Sequence, residues 1–183
     1  MIQLGLIGYP VSHSMSPKIQ NAALKACGLE GDYSLFPIAP GDKQGLNDLL
    51  GRVRSGEIRG LNVTIPHKQN VIEFLDELTP TALAIGAVNT IYVREGKLIG
   101  DNTDAAGFLS DLNHFINSAF SIHHSALVLG AGGSARAVVH ALLNDGWKVT
   151  IAARRREQAE QLANSFANRE VVSNSTSSEF GRP

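Results

Sequence analysis

The 183 residues contain one cysteine, Cys27, so no disulfide can form within the chain. This excludes a disulfide-stapled secreted scaffold and fits a reducing, cytoplasmic setting. An excess of either charge is also missing: 16 Lys and Arg face 17 Asp and Glu, a net charge of -1 at pH 7. On that balance neither nucleic acid nor an anionic membrane surface is an expected partner. No run of about 18 uninterrupted apolar residues is present to span a bilayer. The start, Met-Ile-Gln-Leu-Gly-Leu-Ile-Gly, lacks the basic flank of a signal peptide. Internal repeats are absent. His13 and His67 have no partner at metal-ligand spacing, so no metal is expected.

What remains is the balance of an ordinary globular chain, 43% hydrophobic and 18% charged. Strand and helix patterns alternate from the start. Residues 2–7 read as a strand ending in a Gly-Tyr-Pro turn. A helix then opens with Ser16 as N-cap and Pro17 in its first position. Ile19, Ala22, Ala23 and Ala26 keep helical spacing, Cys27 reads as a small buried hydrophobe, and Gly28 is the C-cap. Residues 33–38 form a second strand, and Leu46, Leu49, Leu50 and Val53 a second helical stripe. Residues 59–65 form a third strand. Pro66 starts a helix carrying Val71, Ile72 and Leu75. Residues 88–93 and 97–99 form a hairpin about Glu95 and Gly96. From Asp104, a capping residue, helical spacing returns in Phe108, Leu109, Leu112 and Phe115. A short buried strand over 126–129, a glycine turn, a helix over 135–143, a strand over 147–152 and a helix over 155–167 follow. A further strand over 170–172 and a polar tail over 173–183 close the pattern. Repeated βα units predict an α/β fold with mainly parallel sheets, divided into domains at 1–103 and 104–183.

The glycine turn is Gly130-Ala131-Gly132-Gly133-Ser134, between a strand and a helix. Close approach of backbone to a pyrophosphate needs residues without side chains, and the helix start then supplies free N–H groups. The end of the next strand chooses the cofactor. An NAD site tends to place an acid there for the ribose hydroxyls. Here Ala153, Arg154, Arg155 and Arg156 occupy the position, so a 2′-phosphate is favoured and NADP is the expected cofactor.

Three clusters in the first domain carry polar groups that a plain core does not need. Ser12-His13-Ser14-Met15-Ser16-Pro17 sets several hydroxyls beside a helix start, which suits a carboxylate ligand. Capping explains Ser16 but leaves Ser14 over. In Asn62-Val63-Thr64-Ile65-Pro66-His67-Lys68, Asn62 and Thr64 share one face of a strand end. Lys68 sits in the first turn of the following helix, where a cation opposes the dipole; placement against local preference points to function. The third cluster is Gly86-Ala87-Val88-Asn89-Thr90 with Asp101-Asn102-Thr103-Asp104.

Taken in order and spacing, these segments and Gly-Ala-Gly-Gly-Ser-Ala closely resemble shikimate dehydrogenases over about residues 1–172. The resemblance implies an N-terminal α/β substrate domain followed by a Rossmann-like NADP-binding domain, here expected to be incomplete because the family's chains run further. It implies that Ser14 and Ser16 hold the shikimate carboxylate. Asn62, Thr64, Asn89 and Asp104 would bond the ring hydroxyls. Lys68 and Asp104 would form the catalytic pair. Gly130, Ala131, Gly132, Gly133 and Ser134 would cradle the pyrophosphate, with Ala153, Arg154 and Arg155 on the adenosine side. Ala153 departs from the family's asparagine, and Arg155 from a hydroxyl residue. The implied reaction is reversible NADP-dependent reduction of 3-dehydroshikimate to shikimate, in aromatic amino acid biosynthesis. The alternatives are a quinate/shikimate dehydrogenase with relaxed cofactor use, or an inactive ligand-binding fragment. Oligomeric state is open, a homodimer included.

Overall fold

The computed structural model describes residues 1–116, 124–166 and the backbone of 171–173. They fall into two compact units that divide between Asn102 and Thr103. The strands of the first unit are β1 (Ile2–Gly8), β2 (Gly31–Pro37), β3 (Gly60–Val63), β4 (Glu77–Leu78), β5 (Thr90–Arg94) and β6 (Lys97–Asp101), in the spatial order β2-β1-β3-β5-β6-β4. β1 lies between β2 and β3, parallel to both, and β4 is parallel to β6. β5 runs antiparallel to β3 and β6.

Side chains alternate between the two faces of each strand. Ile7, Leu61, Val63 and Ile91 point to one face and bury against helix α2 (Lys43–Arg54). Leu46, Leu49, Leu50 and Val53 are the buried stripe of that helix, as their spacing predicts. Burial of one such side chain stabilises by roughly 1.5–3 kcal/mol. Asp42 starts α2 by accepting the Gly45 N–H at 2.9 Å. Leu4, Leu6, Tyr33 and Leu35 occupy the opposite face with Val11. That second face also carries Asn62, the register partner of Leu6.

Several local expectations need correction. Helix α1 runs Ser16–Ala26 with Met15 at the cap position, so Ser16 is its first helical residue and not its cap. Gly28 does supply the left-handed residue after the helix, at φ 67°. Cys27 is exposed, and so are Ile19, Ala22, Ala23 and Ala26 of the expected stripe; Leu24 is the residue of α1 that is buried. The helix after Pro66 is a single turn, α3 (His67–Asn70), followed by a 3₁₀ turn over Val71–Phe74. In four residues Lys68 is in the first and last turn at once, so the dipole argument for its oddness loses its force. A short helix, α4 (Pro80–Ile85), had no apolar stripe to announce it; Thr79 caps it through the Ala82 N–H. The hairpin turns at Glu95 and Gly96, both at positive φ (53° and 77°).

The second unit holds α5 (Asp104–Ile116), β7 (Ser125–Leu129), α6 (Gly133–Asn144), β8 (Lys148–Ala152), α7 (Arg156–Ser165) and β9 (Val171–Ser173). The three strands are parallel, in the order β7-β8-β9. Val128, Val149 and Ile151 bury against Val139, Leu142 and Leu162. The β7 strand is buried on one side only: Leu127 and Leu129 are exposed, since its other face is uncovered among the described residues. Asp104 is the first residue of α5 and not its cap; the Thr103 carbonyl accepts the Gly107 N–H in the cap position. Phe108, Leu112 and Ile116 pack on the core of this unit, whereas Phe115 points to solvent. Residues 167–170, and the tail from 174, lie outside the described residues, as does His123.

Candidate functional site

In the first unit the ends of the parallel strands and the loops that leave them enclose a cavity of about 430 Å³. Ser14, Ser16 and Thr64 line it, with Leu6 and Val11 as an apolar wall. The loop after β1 delivers the serines. Its Tyr9 N–H bonds the Ile65 carbonyl at 2.9 Å, which ties the β1 exit to the β3 exit. The Tyr9–Pro10 and Ile65–Pro66 peptide bonds are both cis. Ser14 Oγ accepts the Ser16 N–H at 3.2 Å, and its hydroxyl lies 3.1 Å from Ser16 Oγ. Ser14 thus satisfies one amide of the helix start while both hydroxyls face the cavity. This explains the serine that capping alone left over.

Asn62 stands next to this cavity on β3, two residues before Thr64. Its Nδ2 donates to the Asn89 carbonyl and to Thr90 Oγ1, both at 3.4 Å. Asn89 is buried. Its N–H bonds the Asp101 carbonyl at 2.9 Å, and its carbonyl accepts the Val63 N–H at 2.8 Å. Lys68 is half-buried, and its carbonyl accepts the Val88 N–H at 2.7 Å, so α3 is tied to the loop that carries Asn89. The first unit therefore brings together Ser14, Ser16 and Thr64 in one cavity, and places Asn62 and Asn89 against each other. Asp104 begins the first helix of the second unit.

Tyr33 and Thr79 are not singled out by their sequence, whereas Asn102 belongs to the third polar cluster. Tyr33 is buried beside Leu6 and donates to Asn62 Oδ1 at 2.9 Å. Burial pushes its phenol up to about 12. Asn102 is buried and donates to the Ala87 carbonyl at 2.9 Å, and Thr79 donates to Asp101 at 2.6 Å. These bonds hold the backbone on both sides of Asn89. Partners this far apart in the chain leave no spacing signal. His67 turns away from the cavity: its Nε2 lies 2.7 Å from the Ile38 carbonyl, which can only accept, so Nε2 carries a proton.

In the second unit, Gly130 follows β7 at φ 117°, a conformation that favours glycine. Its N–H bonds the Ala152 carbonyl at 2.7 Å, which brings the glycine turn to the end of β8. Gly132 is the N-cap of α6, and Gly133 and Ser134 are in the first turn, which holds no acid. A Cβ at Gly130 or Gly132 would meet nothing within 4 Å, so this backbone faces open space. Just past β8, Ala153 is half-buried while Arg154 and Arg155 are exposed; Arg156 pairs with Glu160 at 2.7 Å. One turn into α6, burial pushes the Arg136 guanidinium below its ordinary range. The guanidinium stays charged all the same and donates to Ser165 Oγ, at the end of α7, at 3.3 Å. The open glycine backbone, the acid-free helix start and the exposed arginines fit a phosphorylated dinucleotide. Among the described residues no group of three or more His, Cys, Asp or Glu could hold a metal ion, and no helix is long and apolar enough to cross a membrane.

A polar cavity at the ends of parallel strands, followed by a βαβ segment with an open glycine turn, defines a two-unit α/β protein with a Rossmann-like second part. Residues 6–91 match the family model for the shikimate dehydrogenase substrate binding domain, and residues 115–178 that for shikimate / quinate 5-dehydrogenase. A shikimate dehydrogenase (NADP(+)) of Oceanobacillus iheyensis is 44% identical over 163 residues, 88% of this chain and 58% of that protein. One from Dehalococcoides mccartyi strain CBDB1 is 48% identical over 159 residues, covering 87% and 54%. Among solved structures, shikimate dehydrogenase of Aquifex aeolicus superposes with a TM-score of 0.84 at 39% identity, covering 96% of this chain and 63% of that one. Shikimate 5-dehydrogenase of Thermus thermophilus, solved with NADP(H) and shikimate, gives 0.80 at 40% identity, covering 94% and 63%. The chain belongs to the shikimate dehydrogenase family, and it spans between half and two thirds of the length of these relatives.

Proposed function

We propose that this chain supplies the substrate site and the first part of the NADP site of a shikimate dehydrogenase, which reversibly reduces 3-dehydroshikimate to shikimate. One observation carries the reading: Ser14, Ser16 and Thr64 converge on one cavity beside Asn62 and Asn89. A ring bearing a carboxylate and several hydroxyls needs such a set of short polar donors against an apolar wall. Ser14 and Ser16 take the carboxylate. Thr64, Asn62, Asn89 and Asp104 take the ring hydroxyls. Gly130 to Ser134 receive the pyrophosphate, and Arg154 with Arg155 the 2′-phosphate.

Bound NADPH supplies the hydride. As charge grows on the substrate oxygen, Lys68 gives it a proton, and in the reverse direction Lys68 takes that proton back. Asp104 is the proposed second member of the catalytic pair. The single cysteine and the chemistry of the substrate agree with a cytoplasmic protein. Light scattering on the purified protein decides between a monomer and a homodimer.

The test has two arms. Titration calorimetry with shikimate should give saturable binding to this chain that is lost when Ser14 and Ser16 are both changed to Ala. Shikimate oxidation, followed by NADPH absorbance, should be seen with the complete gene product. Quinate and NAD serve as the competing pair. Absence of shikimate binding, or equal use of quinate with NAD, refutes the assignment.

A further inference from the structure

The first unit contains a directed chain of hydrogen bonds that the proposed chemistry does not use. It starts at a buried phenol. Tyr33 is 4% exposed, and its hydroxyl lies 2.9 Å from Asn62 Oδ1. Asn62 Nδ2 lies 3.4 Å from Thr90 Oγ1. The Thr90 hydroxyl lies 2.9 Å from Asn89 Oδ1. The chain therefore ends on the second of the two amides read as substrate ligands.

Its direction follows from the groups at the side. Asn62 also faces the Asn89 backbone carbonyl, which has lone pairs and no proton. Flipping the Asn62 amide would set oxygen against oxygen there, so Nδ2 must lie on that side and Oδ1 on the side of Tyr33. An amide oxygen only accepts, so the phenol donates. Thr90 Oγ1 accepts from Asn62, and its own proton is left for Asn89 Oδ1. Burial keeps the phenol protonated at any working pH, which keeps the first donor in place. Tyr33 is itself held: Asn21 on α1 accepts its N–H at 2.8 Å and donates to its carbonyl at 3.4 Å. The same helix begins at Ser16, so one element carries part of the carboxylate site and clamps the head of the chain.

We infer that Tyr33 is a positioning residue which, through Asn62 and Thr90, fixes the flip of both substrate amides and leaves the Asn89 oxygen engaged and its NH₂ group as the donor. The inference rests on the proposed function for the identity of the ligand. Both Asn62 N–H groups are taken, by the Asn89 carbonyl and Thr90 Oγ1, so Asn62 meets a ring hydroxyl through the second lone pair of Oδ1, whereas the Asn89 amide is turned to donate. The chain also makes Thr90, which touches no ligand in this scheme, a relay between the two amides.

The experiment is a double-mutant cycle on the complete gene product. Loss of one such hydrogen bond is worth on the order of fivefold. Tyr33→Phe should raise KM for shikimate by about that factor, with a smaller change in kcat and none in KM for NADP. Asn62→Ala should also raise KM for shikimate, and the double variant should be no worse than Asn62→Ala alone. Thr90→Val should act like Tyr33→Phe, and Thr90→Ser should restore the wild-type value. Effects of Tyr33→Phe and Asn62→Ala that simply add, or a Thr90→Ser variant as poor as Thr90→Val, overturn the inference. Asn62 side-chain amide signals in NMR of the ligand-free protein separate this failure from that of the proposed function. Signals unmoved by Tyr33→Phe overturn the inference itself. A wild-type protein that neither binds nor oxidises shikimate, but whose Asn62 signals do move, overturns the proposed function and keeps the directed chain.

Discussion

Gly8 is the residue at which a single methyl group should disturb both stability and the candidate site. It is the last residue of β1, buried, with the two cavity loops folded against it. A Cβ placed there would overlap the Thr64 methyl. It would also come within 2.6 Å of Val11 Cγ1 and 3.1 Å of the Ile65 carbonyl oxygen. Carbon atoms pack best at about 3.5–4.0 Å, so two side chains must each retreat by roughly an ångström. The Ile65 carbonyl cannot follow freely, because it accepts the Tyr9 N–H. Overpacking of this kind costs about 1–3 kcal/mol. For a unit of this size each kcal/mol lowers the melting temperature by roughly 4–8 °C. Thr64 and Val11 both line the cavity, so a displaced Thr64 hydroxyl should weaken shikimate binding by about fivefold as well. Circular dichroism melts and shikimate calorimetry on Gly8→Ala measure the two effects. Gly51→Ala is the control. It lies exposed within α2, where a Cβ meets nothing within 4 Å, and helix propensity predicts a gain of about 0.5–1 kcal/mol. A Gly8→Ala protein that melts and binds like wild type would refute the argument from packing.

Three further outcomes are expected. Lys68→Ala should lower turnover by at least about a hundredfold while shikimate affinity in calorimetry changes far less; near-normal turnover would remove Lys68 from the chemistry. Arg154→Ala combined with Arg155→Ala should cut the NADP-to-NAD ratio of kcat/KM by about tenfold or more, and an unchanged ratio would mean that another group reads the 2′-phosphate. The Tyr33 phenol is raised from its ordinary value of 10.0 to about 12, so the unfolded chain loses that proton first. Its contribution to stability is whole below pH 10 and declines as pH rises towards about 12, which steepens alkaline unfolding of the wild type relative to Tyr33→Phe. Denaturant midpoints that run parallel in the two proteins across that window would show that Tyr33 does not drive the loss.

Much of the candidate site is legible where chemistry sits within one short segment. Ser14 and Ser16, Asn62 and Thr64, and the glycines from Gly130 each combine a local backbone signal with polar groups that a core does not want. The misreadings have a common cause. For Ser16, Lys68 and Asp104 the local signals are capping and dipole rules, which assume regular helices with a known first residue. The α1 helix starts one residue earlier than that rule has it, and α3 is only one turn long. Cys27, Phe115, Leu127 and Leu129 were judged by apolar character, but exposure depends on which face a neighbouring element covers.

Periodicity and motif order alone determined the alternation of strands and helices, the two-part organisation and the family resemblance, because each is written in residues close together along the chain. Only the tertiary structure decided that the β1 and β3 exits share one cavity, that the glycine turn is tied to the end of β8, and that Tyr33 reaches Asn62 across 29 positions of sequence. Strand pairing makes those contacts, and its register depends on which faces are buried. That choice is settled by the whole core together and not by any local stretch of sequence.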